Sequence, residues 1–194
     1  MKFNIKGKII YTKYKNKERK WDPKHSKLAA AILNGMKATF EKDSKILYLG
    51  ASTGTTVSHL SDIITEGIIY GVEFSERVFR SFMNLSQERN NIVPMFFDAR
   101  FPEKYNWVEE CDVVFCDIAQ PDQTEIAIRN IKTFLKRGGF FMISIKSQSI
   151  DVTKDPKQVY KQEAEKIKKA GFEVTETINL EPFEEKHSMI IGKK

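Results

Sequence analysis

Cysteine is scarce in this sequence: two residues in 194, Cys111 and Cys116. They flank one short apolar run, and no Cys-x-x-Cys pair occurs, so neither a disulfide framework nor a zinc site is expected. On a strand, a separation of five sends the two side chains to opposite faces, so they read as buried structural thiols rather than a bonded pair. No apolar run approaches the roughly 20 residues needed to cross a bilayer. The opening residues interleave lysine with other types and lack the apolar middle of a secretory signal. These absences lead to the expectation of a soluble, intracellular protein with no membrane partner. Internal repeats, low-complexity tracts and Pro/Gly/Ser-rich linkers are also missing, and the length suits one globular domain. Apolar residues make up 41% of the chain and charged residues 30%, enough for a core and unlike a disordered composition.

The charge is present but unevenly spread. Net charge is +6, yet residues 1–27 carry ten Lys/Arg against Glu18 and Asp22, a net of +8 that leaves −2 for the remainder. A basic arm on a nearly neutral body fits a polyanionic partner such as RNA. A solvated, lysine-rich edge strand explains the same charge equally well.

From residue 45 onward, short apolar runs alternate with helical patterns. Strands are expected at Ile46–Leu49, Ile68–Glu73, Val93–Phe97, Val113–Asp117 and Phe140–Lys146, with Phe172–Leu180 and Ser188–Ile191 closing the chain. Helices are expected at Thr55–Ile64, Ser75–Gln87, Pro121–Lys136 and Pro156–Ala170. Gly138-Gly139 supplies the stop for the third of these. Phe79, Phe82, Met83 and Leu85 are core candidates on the second helix. Asp22-Pro23 looks like the cap and first turn of an earlier helix continuing through Leu33, and Phe3–Tyr11 like a short hairpin or edge strand. The domain reading is a basic strand or hairpin extension at 1–20 and one domain at 21–194. Five β-α units followed by a strand pair imply an α/β, doubly wound, mainly parallel sheet of seven strands with one reversed.

Such sheets bind ligands outside the carboxyl ends of their strands. After the first strand comes Gly50-Ala51-Ser52-Thr53-Gly54-Thr55-Thr56, a turn that lets backbone approach a ligand and opens a helix. A dinucleotide fingerprint would have a further glycine where Ser52 stands. The second strand ends in Glu73, suited to ribose hydroxyls, followed by Phe74, suited to a flat base. The third ends in Asp98-Ala99 and the fourth in Asp117, with Gln120 close behind. Each acid alone is as well explained by a helix cap or a surface charge. Three acids at three strand ends, beside Gly50 and Gly54, favour an adenosine-containing cofactor. Lys146 ends the fifth strand. His187 begins the last one, which runs backwards, so Asp117, Lys146 and His187 should meet, with Lys27 completing the group if its helix crosses the opening.

These residues carry a family resemblance. Tyr48-Leu-Gly-Ala-Ser-Thr-Gly-Thr-Thr-Val-Ser-His-Leu-Ser-Asp62, Gly71-Val-Glu-Phe-Ser75, Asp117-Ile-Ala-Gln-Pro121, Ser144-Ile-Lys146 with Ser149-Ile-Asp151, and Trp21-Asp-Pro with Ser26-Lys-Leu-Ala-Ala-Ala31 resemble the fibrillarins, from about residue 7 to the end. The resemblance implies a Rossmann-like S-adenosylmethionine-dependent methyltransferase fold. It also implies 2′-O-methylation of ribose in rRNA, with tRNA a second substrate class, directed by a box C/D guide RNA. The implied partners are the guide and target RNA, a Nop-domain scaffold protein and a kink-turn-binding ribosomal-type protein. The implied catalytic group is Lys27, Asp117, Lys146 and His187. Cofactor contacts fall to Gly50, Ala51, Ser52, Gly54, Thr55, Thr56, Glu73, Phe74, Asp98, Ala99, Asp117 and Gln120. No Gly/Arg-rich arm is present, which fits an archaeal-type, cytoplasmic form; the region before Trp21 is short for the family's N-terminal hairpin domain, so contacts made by that domain, a dimer contact included, are not carried over.

Lys146 is expected to orient or deprotonate the 2′-hydroxyl. A base role asks for a neutral amine, which burial and the like charge of Lys27 favour and Asp117 opposes. Two other readings stay open at this point. One is a stand-alone methyltransferase acting on RNA or a small molecule; the other is a non-catalytic RNA-binding subunit.

Overall fold

The computed structural model describes residues 3–194; Met1 and Lys2, at the start of the expected 1–20 extension, lie outside it. Strands β1 (Asn4–Lys6), β2 (Ile9–Tyr14) and β3 (Lys17–Trp21) form a three-stranded antiparallel meander, one strand more than the sequence pattern foretold. The main body contains α1 (Lys27–Leu33), β4 (Lys45–Leu49), α2 (Thr55–Ile63), β5 (Ile68–Glu73), α3 (Glu76–Gln87), β6 (Ile92–Phe96) and β7 (Cys111–Cys116). It continues with α4 (Gln123–Phe134), β8 (Leu135–Lys146), α5 (Ser147–Ile150), α6 (Pro156–Lys169), β9 (Glu173–Asn179) and β10 (His187–Lys193). None of the helices among the described residues is long and apolar enough to cross a membrane.

Seven strands hydrogen-bond in the order β6-β5-β4-β7-β8-β10-β9, and β10 alone runs antiparallel to its neighbours. The expected mainly parallel sheet with one reversed strand is the observed one. Because side chains alternate along each strand, the sheet has two apolar faces. One packs against α4 and α6 through Leu47, Leu49, Val114, Ile143 and Ile145. The other packs against α1, α2 and α3 through Ile46, Tyr48, Val113, Phe115 and Met142.

Several local expectations are corrected. The Asp22-Pro23 signal opens only a 3-10 turn, Pro23–His25, because Ser26 is extended and starts α1 afresh, its hydroxyl accepting from the Ala29 N–H at 3.3 Å. The helix expected to reach Lys136 ends at Phe134, and Gly138-Gly139 falls within β8, where pairing with β7 is irregular. The odd-number expectation for the cysteines does not hold: both thiols are packed in the same apolar layer, with Cys111 at the first position of β7, next to the irregular pairing. Both are free, and burial pushes each thiol up to about 12. On α3 only Phe82 is fully buried, whereas Met83 is exposed and Phe79 and Leu85 are partly covered.

The meander docks on α2 through a buried polar cluster. Asp62 accepts from Thr12 Oγ1 at 2.6 Å, Arg19 Nη1 at 2.5 Å and Arg89 Nη1 at 2.6 Å, so its buried charge faces two guanidinium groups. With the Thr12 hydroxyl spent on Asp62, its oxygen accepts from His59 Nδ1 at 2.7 Å, which places a proton on Nδ1. The His59 ring stacks on buried Trp21, centroids 5.0 Å apart and planes 9° apart. The other strand edges carry exposed Lys6, Lys8, Lys13, Lys15, Lys17 and Lys20, so the arm is both a solvated basic surface and a docked one.

Burial, with Arg19 beside it, holds His59 down at about 4 against an ordinary 6.5. The unfolded chain therefore binds a proton on this ring before the folded one does. Its contribution is fully present above pH 6.5 and is lost as pH falls towards 4, on the order of 3 kcal/mol. Urea unfolding at pH 7 and pH 4 should show this loss. His59→Gln should flatten that part of the pH dependence, even though it lowers stability at pH 7.

Candidate active site

The carboxyl edge of the parallel strands opens into a cleft of about 240 Å³. Each wall is a strand end or the turn that follows it. Gly50 leaves β4 with φ +84°, and a Cβ there would stand 2.7 Å from the Asp117 carbonyl oxygen, so the crossing of the two strand ends requires glycine. Ser52 occupies the left-handed region at φ 51°, the conformation a fingerprint glycine would take. Its N–H donates to Glu73 Oε2 at 2.8 Å, while the Ser75 N–H donates to Oε1 at 2.8 Å. Glu73 is thus fixed in orientation, and each oxygen keeps a lone pair for a hydroxyl donor.

Eight of the expected cofactor residues line this cleft: Gly50, Ser52, Glu73, Phe74, Asp98, Ala99, Asp117 and Gln120. The other four stand behind it. Ala51 is buried, Gly54 caps α2 beneath Phe82 and Leu85, Thr55 begins α2, and Thr56 turns its hydroxyl to Ser26 Oγ at 2.9 Å. Phe97, Ile118 and Ile126 add apolar wall. Arg100, which sequence reasoning passed over, spans the rim: it donates to Asp122 through Nε at 3.0 Å and Nη2 at 2.9 Å, and Nη2 reaches Gln120 Oε1 at 3.3 Å. Its place directly after Asp98-Ala99 was the available signal.

Beside the cleft lies a second cluster. Lys27, the first residue of α1, places Nζ 3.1 Å from Asp117 Oδ1. Asp117 holds Lys27 firmly cationic, raising it above its usual value against the opposing effect of burial, with Glu184 adding to the rise. Lys146 and His187 stand directly opposite each other in the β8–β10 register. Burial pushes His187 below its ordinary value, the carbonyl of Glu185 opposes this, and Lys27 and Lys146 reinforce it. With Nδ1–H donated to that carbonyl at 2.7 Å, Nε2 is left as an acceptor. Lys146 forms no salt bridge among the described residues. So the four residues grouped in the sequence do gather, as an ion pair (Lys27–Asp117) and a cross-strand pair (Lys146–His187). Tyr48, absent from that group, donates its hydroxyl to Asp117 Oδ2 at 3.1 Å. Alternation along β4 already placed Tyr48 on the α1 face, but nothing local marked it as more than core.

A seven-stranded sheet with its last strand reversed, a glycine turn after the central strand and acids at three strand ends define the Rossmann-like fold of S-adenosylmethionine-dependent methyltransferases. The chain belongs to the fibrillarin family, whose model, described as Fibrillarin, matches residues 4–194. It is 48% identical to the fibrillarin-like rRNA/tRNA 2′-O-methyltransferase of Methanocaldococcus jannaschii, covering 97% of this chain and 85% of that protein. A solved fibrillarin/Nop5p complex contains a chain that is 40% identical with TM-score 0.91, covering 100% of this chain and 97% of that one. Aeropyrum pernix fibrillarin, solved with natively bound S-adenosyl-L-methionine, is 44% identical with TM-score 0.82, covering 94% and 81%.

Gly50→Ala is expected to lower stability by about 1–3 kcal/mol, because the positive φ and the contact with the Asp117 backbone both oppose a side chain. Ser52→Gly, which relieves the non-glycine residue held at positive φ in this turn, should leave stability unchanged or slightly raised. Thermal unfolding of the two variants beside the parent chain checks both.

Proposed function

We propose that this protein transfers a methyl group from S-adenosylmethionine to ribose 2′-hydroxyls of rRNA, and of tRNA as a second substrate class, as the catalytic subunit of a box C/D ribonucleoprotein. The observation that carries this reading is the double placement of Asp117, which walls the cofactor cleft and pairs with Lys27 beside Lys146 and His187. Donor and acceptor sites therefore share one residue. Names of the relatives support the substrate class, and the solved fibrillarin/Nop5p complex supports a Nop-domain scaffold as partner. Guide RNA and a kink-turn-binding protein complete the proposed assembly, and a cytoplasmic setting is part of the same reading.

The cleft fits the cofactor by its donor set: a fixed, twice-held carboxylate at Glu73 for ribose hydroxyls, Phe74 for the adenine face and Asp98 for the adenine amino group. When bound, S-adenosylmethionine supplies an electrophilic methyl whose bond to sulfur breaks as the bond to the 2′-oxygen forms. This chain's residues arrange the acceptor. Lys146, in no salt bridge among the described residues, orients the 2′-hydroxyl and, in its neutral amine form, takes up the departing proton. Asp117 keeps Lys27 charged beside it, and His187 Nε2 offers a neutral acceptor on the same edge. The exposed lysines of the meander contact phosphates, and the guide duplex rather than the protein selects the nucleotide.

Methyl transfer from labelled S-adenosylmethionine, with and without guide RNA, target and the two partner proteins, tests the reading. Label should map to one guide-selected 2′-hydroxyl. Lys146→Ala should reduce turnover at least about 100-fold and leave cofactor affinity nearly unchanged. Equal labelling without the guide would replace this reading with a stand-alone methyltransferase. Glu73→Ala should instead weaken cofactor binding by about 10–100-fold, measured by calorimetry. RNA binding by the assembly should fall steeply with salt, and charge reversal at Lys13, Lys15 and Lys17 should reduce that slope.

A further inference from the structure

A line of side-chain contacts runs behind the proposed reacting edge. Ser26 caps α1 and lies 2.9 Å from Thr56 Oγ1 in the first turn of α2. Tyr48 donates to one oxygen of Asp117, and the other oxygen holds Lys27, the residue after Ser26. Tyr48 is 2% exposed, and its ring sits edge-on to Phe115 with centroids 4.7 Å apart, so the phenol has little freedom to turn away.

We infer that Tyr48 is a positioning residue for methyl transfer, fixing the Asp117 carboxylate so that one oxygen stays aimed at Lys27, while Ser26, next to Lys27, ties the pair to the first turn of α2. The inference rests on the function proposed above. A carboxylate rotates readily about its last bond, and a single partner leaves that rotation open. Two partners on two oxygens close it, which is what holding a reacting group in one geometry requires. Burial, with Asp117 next to it, raises the Tyr48 phenol well above its ordinary value, so it remains a donor throughout the working pH range. Phenylalanine would fill the same space and leave Asp117 with Lys27 alone.

The test is Tyr48→Phe in the full guided assembly, with melting temperature, cofactor affinity and kinetics measured beside the parent. The expected result is a kcat about tenfold lower, with cofactor Kd and target KM each within about threefold of the parent. Unchanged kcat, or a loss of kcat that merely tracks loss of cofactor binding, would overturn the inference. A second readout does not depend on activity. In protein carrying 13C-labelled lysine, the ionisation midpoint of Lys27 followed by NMR should fall in Tyr48→Phe, because a turning carboxylate supports the cation less well. A midpoint that does not move overturns the positioning role even if the parent assembly proves inactive. A falling midpoint with no parental methyl transfer would instead retain the geometry and reject the proposed function.

Discussion

Side chains on a strand alternate between two faces, and in a sheet of parallel strands the same edge collects every carboxyl end. Most of what is distinctive here follows from those two facts acting together. Ile46 and Tyr48, Val113 and Phe115, and Met142 line the face covered by α1, α2 and α3. Continuing the alternation, one step beyond Phe115 and two beyond Met142, brings Asp117 and Lys146 to that same face at the edge. The reversed strand β10 then contributes His187 at its beginning rather than its end, opposite Lys146. A parallel seventh strand would have carried its first residue to the far edge of the sheet.

The acids divide between two tasks. Glu73 and Asp98 are held by backbone N–H groups from their own strand-end turns and face the cleft. Asp117 faces the cleft and also leans towards α1, where Lys27 and Tyr48 take one oxygen each. A helix start, two strands and the opening turn of α2 are thereby joined through polar contacts that an apolar core alone would not specify. The backbone reinforces this, since the Asp117 N–H donates to Leu49 O at 2.9 Å and Gly50 leaves no room for a side chain beside it.

At the opposite end of α2 a second polar cluster fastens the basic meander. Asp62 carries its charge in full burial because Arg19 and Arg89 both reach it, and Thr12 relays a hydrogen bond from His59. The meander is therefore held by chemistry unrelated to the lysines it presents outward. The docking uses none of those lysines; Lys6 pairs with Glu18 and Lys20 with Asp22 within the arm and its outgoing turn. Charge alone left a solvated edge and a polyanion-binding arm equally placed, and the fold adds that one side of this small sheet is docked while the lysines stand on the other.

The sequence by itself determined the strand order of types, the mainly parallel sheet with one reversed strand, and which residues stand at the strand ends. Period-two and helical patterns are local, and a strand's end is marked by the turn residues that follow it. Ranges and faces that depend on neighbours were settled only by tertiary structure. Gly138-Gly139 could not be placed inside β8 from local signals, because the irregular pairing with β7 that accommodates it is non-local. Cys111, next to the same irregularity, shares an apolar layer with Cys116 against the simple alternation. Met83 looked like core on composition, but α3 packs through Phe82 and leaves Met83 in solvent. Lys27, Asp117, Lys146 and His187 were legible as a group through topology and family resemblance. Their division into an ion pair and a cross-strand pair, and the phenol of Tyr48 behind them, depend on side-chain distances across elements far apart in sequence. Those distances exist only once the chain has closed.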